Sequence, residues 1–156
     1  MNMYDSLLSP SRLLNEQIAR QVFEVLPEDG PIVAIMDTEG NCWPSNSEKF
    51  SKLNIDESFL SQLCSRIDDG AEPVVTQVNQ ASLVAAHLAT EQTNCGYVIF
   101  ALPQSSPEST LQNIDLIEIL LNQVVLIAKL IEKNSLLYEL QNKYYSMYRR
   151  GKVSSN

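Results

Sequence analysis

One segment constrains the fold more than any other. Residues 122–145, NQVVLIAKLIEKNSLLYELQNKYY, contain no Gly and no Pro, which is typical of one long helix. With its flanks the segment predicts a helix from about Glu108 to about Arg150, which is about 60 Å long at 1.5 Å per residue. A domain of this size is only about 35 to 40 Å across. Part of the helix must therefore project from its domain or be covered by another molecule.

Two apolar stripes run along the predicted helix on nearly opposite sides. The first keeps heptad spacing along the whole helix and is interrupted only by the polar residues Gln123 and Lys133. We call it the heptad stripe, and it consists of Leu116, Ile119, Leu126, Leu130, Leu137, Leu140, Tyr144 and Met147. The second, which we call the sheet stripe, ends at about Ile131 and consists of Ile117, Leu121, Val124, Ala128 and Ile131.

The two stripes predict two different partners for one helix. The sheet stripe fits burial on the protein's own sheet, and the heptad stripe fits a coiled-coil interface. Beyond Ile131 only the heptad stripe continues. Burying each such side chain is worth about 1.5 to 3 kcal/mol, so we expect a homodimer through the heptad stripe, most simply a parallel one. The alternative is a helix that bends and folds back on its own domain.

The remaining segments predict an α+β fold. An amphipathic helix is expected over 11–26, with Ser11 as its N-cap, and one or two helices over 45–53 and 56–67. Strands are expected over 32–37, 42–44, 73–78, 82–90 and 95–103. An antiparallel sheet of five to six strands would carry the N-terminal helix and the long C-terminal helix on one face. The middle helical segment would cross the other face or an edge.

This order of elements divides the chain into four parts. An N-terminal tail (1–10) precedes a domain over 11–131, and residues 132–150 form a projecting coiled-coil continuation of the last helix. Residues 151–156 are expected to be a disordered tail. The only basic cluster lies at this end, where it would serve for solubility, and consists of Arg149, Arg150 and Lys152.

Composition argues against several classes of partner. The chain has 19 acidic and 11 basic residues, a net charge of −8, which repels phosphate backbones and disfavours nucleic-acid binding. No apolar run reaches the about 18 to 20 residues that span a bilayer, and no secretory signal begins the chain, so no membrane partner is expected. Three widely separated cysteines fit reduced thiols in a cytoplasmic protein, and they are Cys42, Cys64 and Cys95.

Catalytic motifs are missing from the sequence. There is no P-loop, GxGxxG, HExxH, GxSxG or EF-hand loop, so we expect no enzymatic activity, no cofactor and no metal. Five carboxylates lie in turns or at helix starts, where capping accounts for them, and they are Asp37, Asp56, Glu57, Asp68 and Asp69.

Two residues are candidates for contacts with a small ligand. His87 is the only histidine, and nothing beside it supplies a nucleophile, so it is either a hydrogen-bonded structural residue or a polar contact in a pocket. Trp43 follows a turn and could cap a pocket or anchor an interface, with packing as the alternative. Cys42 and Cys95 lie near strand ends, where a thiol could sense redox state, with buried packing as the alternative.

The C-terminal part of the chain resembles a known family. The strands SLVAAHLA and GYVIFALP, followed by a polar connector and NIDLIEILLNQVVLIAKLIEKNSLL, are similar to the end of a GAF domain. PIVAIMDTEGN is similar to that family's first hairpin, so the resemblance covers residues 11–148. It implies an antiparallel sheet, a signalling role, a small-molecule or protein-interaction site, and dimerisation through terminal helices. The ligand signature of cyclic-nucleotide-binding members and a bilin-tethering cysteine are missing.

The same order of elements also resembles the roadblock family of scaffold domains, on VAIMDTEGNCWPS as the opening hairpin. The leading hypothesis is a non-enzymatic, GAF-like regulatory module that dimerises through its terminal helices, senses a small ligand and acts on a signalling protein in trans. The alternative is a roadblock-like interaction scaffold without a ligand.

Overall fold

A five-stranded antiparallel sheet forms the centre of the computed structural model, which describes residues 14–89, 94–104 and 106–153. The strand order is β2-β1-β5-β4-β3, and every neighbouring pair is antiparallel. The predicted α+β class is therefore confirmed. The strands are β1 (Ile32–Asp37), β2 (Cys42–Pro44), β3 (Val74–Val78), β4 (Ala81–Ala89) and β5 (Asn94–Pro103).

Helices cover both faces of this sheet. They are α1 (Glu16–Glu24), α2 (Ser47–Ser51), α3 (Glu57–Asp68), α4 (Pro107–Gln112) and α5 (Ile114–Val153). One apolar core joins α1 and α5 to one face of the sheet, and a second joins α3 to the opposite face. The N-terminal and C-terminal helices thus share a face as predicted, and the middle helical segment covers the other.

Strand β1 shows why the sheet needs helices on both sides. Successive side chains of a strand point to opposite faces, so Val33 and Ile35 enter the α5-side core while Ala34 and Met36 enter the α3-side core. All six residues of β1 are buried. An apolar run without polar alternation, IVAIMD, is the sequence pattern of such a doubly covered strand.

Helix α1 begins later than the sequence predicted. Its first residue is Glu16, because the extended residue Asn15 caps it and accepts a hydrogen bond from the backbone N–H of Ile18 at 3.0 Å. The expected N-cap, Ser11, lies outside the described residues, as does the predicted tail over 1–10.

The predicted single helix from Glu108 to Arg150 is two helices. Ser106 caps α4, and the chain leaves helical geometry at Asn113, whose side-chain amide donates to the carbonyl of Ser109 at 2.9 Å. Such local bonds from Asn compete with a continuing helix. Helix α5 then runs unbroken to Val153, three residues past the predicted end, and residues 154–156 lie outside the described part.

Candidate functional site

The heptad stripe lies on the solvent-exposed side of α5 along its whole length. Its first four residues, beside the domain, are 53–58% exposed, and its last four are 45–69% exposed. The sheet stripe on the other side is buried, with 1–7% exposure from Ile117 to Ala128, and Ile131 is half-buried. The alternative of a helix that folds back on its domain is wrong, because α5 is unbroken over Ile114–Val153 and no described part of the chain covers its heptad stripe.

The second half of α5 leaves the domain. Leu136 is the last residue of the helix that packs against the α5-side core. Beyond it, large apolar side chains are exposed on several sides of the helix, among them Tyr138, Tyr145 and Tyr148. About 25 Å of helix therefore projects, at 1.5 Å per residue.

Charge is distributed unevenly along α5. Its first turns carry Asp115 and Glu118, while its last turn carries Arg150 and Lys152. The Nζ atom of Lys152 lies 5.0 Å from the centroid of the Tyr148 ring, a distance suited to a cation–π contact. The basic cluster predicted to be part of a tail is therefore helical and directly follows the heptad stripe.

A second polar arrangement surrounds His87 on the α3 side of the sheet. Its Nε2 lies 3.0 Å from Oδ1 of Asp68, and its Nδ1 lies 3.1 Å from Oε2 of Glu72. The Tyr97 hydroxyl donates to both carboxylate oxygens of Asp68, at 2.9 and 2.8 Å. We call these four side chains the His87 cluster. It ties the last residue of α3 and the segment before β3 to the middle of the sheet.

Both carboxylates of the cluster favour a protonated imidazole. Carboxylate oxygens only accept hydrogen bonds, so both ring nitrogens can donate at once only in the charged imidazolium. Partial burial lowers the pKa of His87, but hydrogen bonds to Asp68 and Glu72 and their negative charges outweigh it, so the pKa is raised above its usual value. The hydrogen bond from His87 is the main reason that the pKa of Asp68 is lowered.

Glu72 also supplies the hydrogen-bond acceptor that a neighbouring strand would give to the backbone of His87. The pairing of β3 with β4 begins at Val74 and Ala85, so the backbone of His87 has no partner on β3. The Oε1 atom of Glu72 accepts a hydrogen bond from the backbone N–H of His87 at 2.8 Å instead. One carboxylate thus holds both the backbone and the ring of His87.

The two predicted ligand contacts do not come together. Trp43 lies on edge strand β2 opposite Ile35 and packs, half-buried, against the α5-side core. The His87 ring lies on the opposite face, 5.7 Å from the ring centroid of Tyr97, and two strands separate β4 from β2. Sequence reasoning missed Asp68, Glu72 and Tyr97, because none is near His87 in sequence and none belongs to a motif.

The carboxylates predicted to be caps have mixed roles. Asp37 is a turn residue as expected, since its Oδ1 accepts hydrogen bonds from the backbone N–H groups of Glu39 and Asn41 at 3.0 and 2.8 Å. Asp56 occupies the N-cap position of α3 without a side-chain capping bond. The assignment of Asp68 to capping is wrong, because its carboxylate binds His87 and Tyr97.

Grooves open at the surface beside α5 and α3. A groove of about 570 Å³ runs between α5 and the β3–β4 edge, and its polar lining includes Glu72, Glu118, Asn122 and Lys129. A second, of about 480 Å³, lies between α3 and the β1–β2 turn. Among the described residues, no buried side-chain polar atom lacks a hydrogen-bond partner.

The three cysteines lie in or against the apolar cores. Cys64 and Cys95 are buried and Cys42 is half-buried. Burial raises the pKa of Cys42 to about 11, and burial followed by the negative charge of Asp68 raises that of Cys64 to about 11. A raised pKa disfavours the thiolate that redox chemistry requires.

Three comparisons with known proteins give no relative for this chain. No family model matches it, and no curated protein or solved structure is similar to it. The GAF and roadblock resemblances therefore remain predictions from the sequence. Within residues 14–89, 94–104 and 106–153, no group of His, Cys, Asp and Glu is arranged to hold a metal ion. Across the same residues, none of the helices combines the length and apolar character that crossing a bilayer requires.

Proposed function

We propose that the protein is a non-enzymatic regulatory module of GAF-like layout that forms a homodimer through the heptad stripe of α5. In this role it is cytoplasmic, and the paired helices transmit a signal to a partner protein in trans. The single observation that carries the proposal is the exposure of all eight heptad-stripe residues on a helix whose other stripe is already buried.

The stability of the projecting half of α5 supports the proposed dimer. A single exposed helix is only marginally stable in water, because its stability in proteins comes mostly from packing of an apolar face. No described part of the chain covers the last four residues of the heptad stripe, which are 45–69% exposed, namely Leu137, Leu140, Tyr144 and Met147. Pairing with a second heptad stripe supplies that cover over both halves of the helix.

A roadblock-like scaffold without a ligand is the second candidate. It is supported by the hydrogen-bonded state of every buried side-chain polar atom among the described residues, because a ligand site in the interior would offer polar groups to its ligand. The groove of about 570 Å³ beside α5 supports the ligand-sensing form, since its volume and its few polar groups fit a small-molecule site. A native mass spectrum of freshly purified protein separates the two, because a co-purifying small molecule supports sensing.

Solution mass tests the dimer. We expect the unsubstituted chain to be dimeric at micromolar concentration by light scattering after size exclusion. The double variant Leu137→Glu, Leu140→Glu should be monomeric, because charges replace two apolar layers and cost the dimer at least about 4 kcal/mol, roughly a thousandfold in Kd.

The matched control adds the same charge away from the stripe. Asn142→Glu with Ser146→Glu changes two exposed polar residues of the same helical half. This variant should remain dimeric. A monomeric unsubstituted chain, or a Leu137→Glu, Leu140→Glu variant that stays dimeric, would contradict the proposal.

A further inference from the structure

The exposed heptad stripe of α5 consists of two halves with four large apolar residues each. The half beside the domain exposes Leu116, Ile119, Leu126 and Leu130, and the projecting half exposes Leu137, Leu140, Tyr144 and Met147. With Leu116 at heptad position a, the two halves are related by a two-fold axis between Ile131 and Glu132. In a two-fold dimer about this axis, each half would contact the other half of the second copy.

We infer that the heptad stripe pairs in an antiparallel direction, so that the projecting half of each copy covers the domain half of the other. The inference rests on the proposed dimer and replaces the parallel arrangement expected from the sequence. The facing layers are Leu116 with Met147, Ile119 with Tyr144, Gln123 with Leu140, Leu126 with Leu137, and Leu130 with Lys133.

Lys133, a charged residue of the stripe, favours this direction. A parallel pair in register would place Lys133 opposite Lys133 of the second copy, and like charges in one interface layer repel each other. The antiparallel pair places each Lys133 opposite Leu130, where the long lysine stem can pack while its ammonium reaches water. The two lysines then lie in adjacent layers and no longer share one.

The uneven charge along α5 also favours the antiparallel direction. An antiparallel pair brings the basic end of each helix beside the acidic first turns of the other, with Asp115 and Arg150 at facing positions that flank the stripe. The helix dipoles also oppose each other in this arrangement. A parallel pair would collect Arg149, Arg150 and Lys152 of both copies at one end.

Disulfide trapping tests the direction. Gln123→Cys and Leu140→Cys are made singly and together, and air oxidation is followed on a non-reducing gel. The double variant should yield at least about tenfold more cross-linked dimer than either single variant, because only facing residues bring their Cα atoms within disulfide reach. The unsubstituted chain, with Cys42, Cys64 and Cys95, is the control for native thiols.

A distance measurement makes the test independent of disulfide geometry. A spin label on Ser146→Cys should give a separation of about 44 Å between the two copies, since each label lies 14 to 15 residues from the two-fold axis at 1.5 Å per residue. A parallel pair would give a separation below about 25 Å, set by an interaxial distance of 8–10 Å and the label arms.

The outcomes separate the direction from the dimer itself. Cross-linking of each single variant, with the short label distance, would overturn the antiparallel direction and leave the proposed dimer intact. A dimeric mass without cross-linking in the double variant would overturn the register given above. A monomeric mass at micromolar concentration would overturn both.

Discussion

The two stripes of α5 are both apolar but lie in opposite environments. Over the same turns of helix, Ile117, Leu121, Val124 and Ala128 are 1–7% exposed, while Leu116, Ile119, Leu126 and Leu130 are 53–58% exposed. Apolar character alone therefore does not distinguish residues that are buried in the core from residues that stay exposed on the same helix. What distinguishes them is whether the chain's own sheet lies opposite, and that depends on the register of the helix against β4 and β5.

The largest expected effect comes from placing the same charge in each stripe. Leu121→Asp should cost at least about 4 kcal/mol of unfolding free energy, because it buries an unpaired carboxylate against the sheet. Leu126→Asp should change the unfolding free energy of the monomer by about 0.5 kcal/mol or less, since that position faces solvent. Urea denaturation in the Leu137→Glu, Leu140→Glu background measures both without a contribution from the dimer.

One result would contradict this contrast between the sheet stripe and the heptad stripe. If Leu126→Asp destabilises the monomer as much as Leu121→Asp does, the heptad stripe is part of the core and has no role in association. In the otherwise unsubstituted chain, Leu126→Asp should weaken the dimer, which sedimentation at several concentrations would report.

A smaller effect is expected from the His87 cluster on the α3 side of the sheet, where charged groups as well as apolar packing hold the end of α3. His87→Gln should cost about 1 kcal/mol near pH 6, after allowance for the half-exposed carboxylates of Asp68 and Glu72. The raised pKa of His87 means that its contribution is complete below its ordinary pKa of 6.5 and is lost as pH rises through the higher folded value. The lowered pKa of Asp68 means that its contribution is lost as pH falls below 3.8.

Unfolding free energies measured from pH 4 to pH 9 test this prediction. The difference between the unsubstituted chain and His87→Gln should be largest between about pH 4 and 6.5 and should shrink toward pH 9. Leu121→Ala serves as the comparison from the sheet stripe, and its cost should not vary over the same range. A pH-independent cost for His87→Gln would show that the ring acts by packing alone.

The smallest expected effect concerns α1, which packs beside the sheet stripe of α5. Asn15→Ala should cost about 0.5 to 1 kcal/mol, because the N–H of Ile18 loses its capping acceptor. Arg20→Ala, which removes an exposed ion pair with Glu16 in the same helix, should cost less than about 0.5 kcal/mol. Thermal denaturation of the two variants ranks them, and the reverse order would argue against Asn15 as the helix start.

Local patterns in the sequence predict most of the fold. The bounds of β1 and β2 match those expected, because IVAIMD is apolar on both faces and Pro44 ends the next strand. The stripes of α5 also follow directly from residue spacing. The break at Asn113 was missed, since the choice between a capping bond and a continued helix depends on one local hydrogen bond that apolar periodicity does not contain.

The candidate sites were harder to predict than the fold. The exposure of the heptad stripe can be predicted because the sheet stripe ends earlier along the helix. Comparing the lengths of the two stripes is enough for this prediction. The His87 cluster depends on which strands are neighbours and on a helix that ends beside them. Asp68 and Glu72 are 19 and 15 residues away from His87 in sequence, and no periodicity relates them.

The uninterrupted length of α5 has a consequence for the assembled protein. In the antiparallel pair that we propose, each domain would be fixed to the first half of a stiff rod, and the two rods would overlap symmetrically. The rod would then set the spacing of the two domains at about 23 Å along its axis, since the sheet stripe over 117–131 is centred about 7.5 residues from the two-fold axis and the rise is 1.5 Å per residue. Insertion of seven residues beyond Leu136 would keep every side chain on its face of the helix and would lengthen that spacing by a fixed step. The length of the helix would therefore set the distance between the two domains.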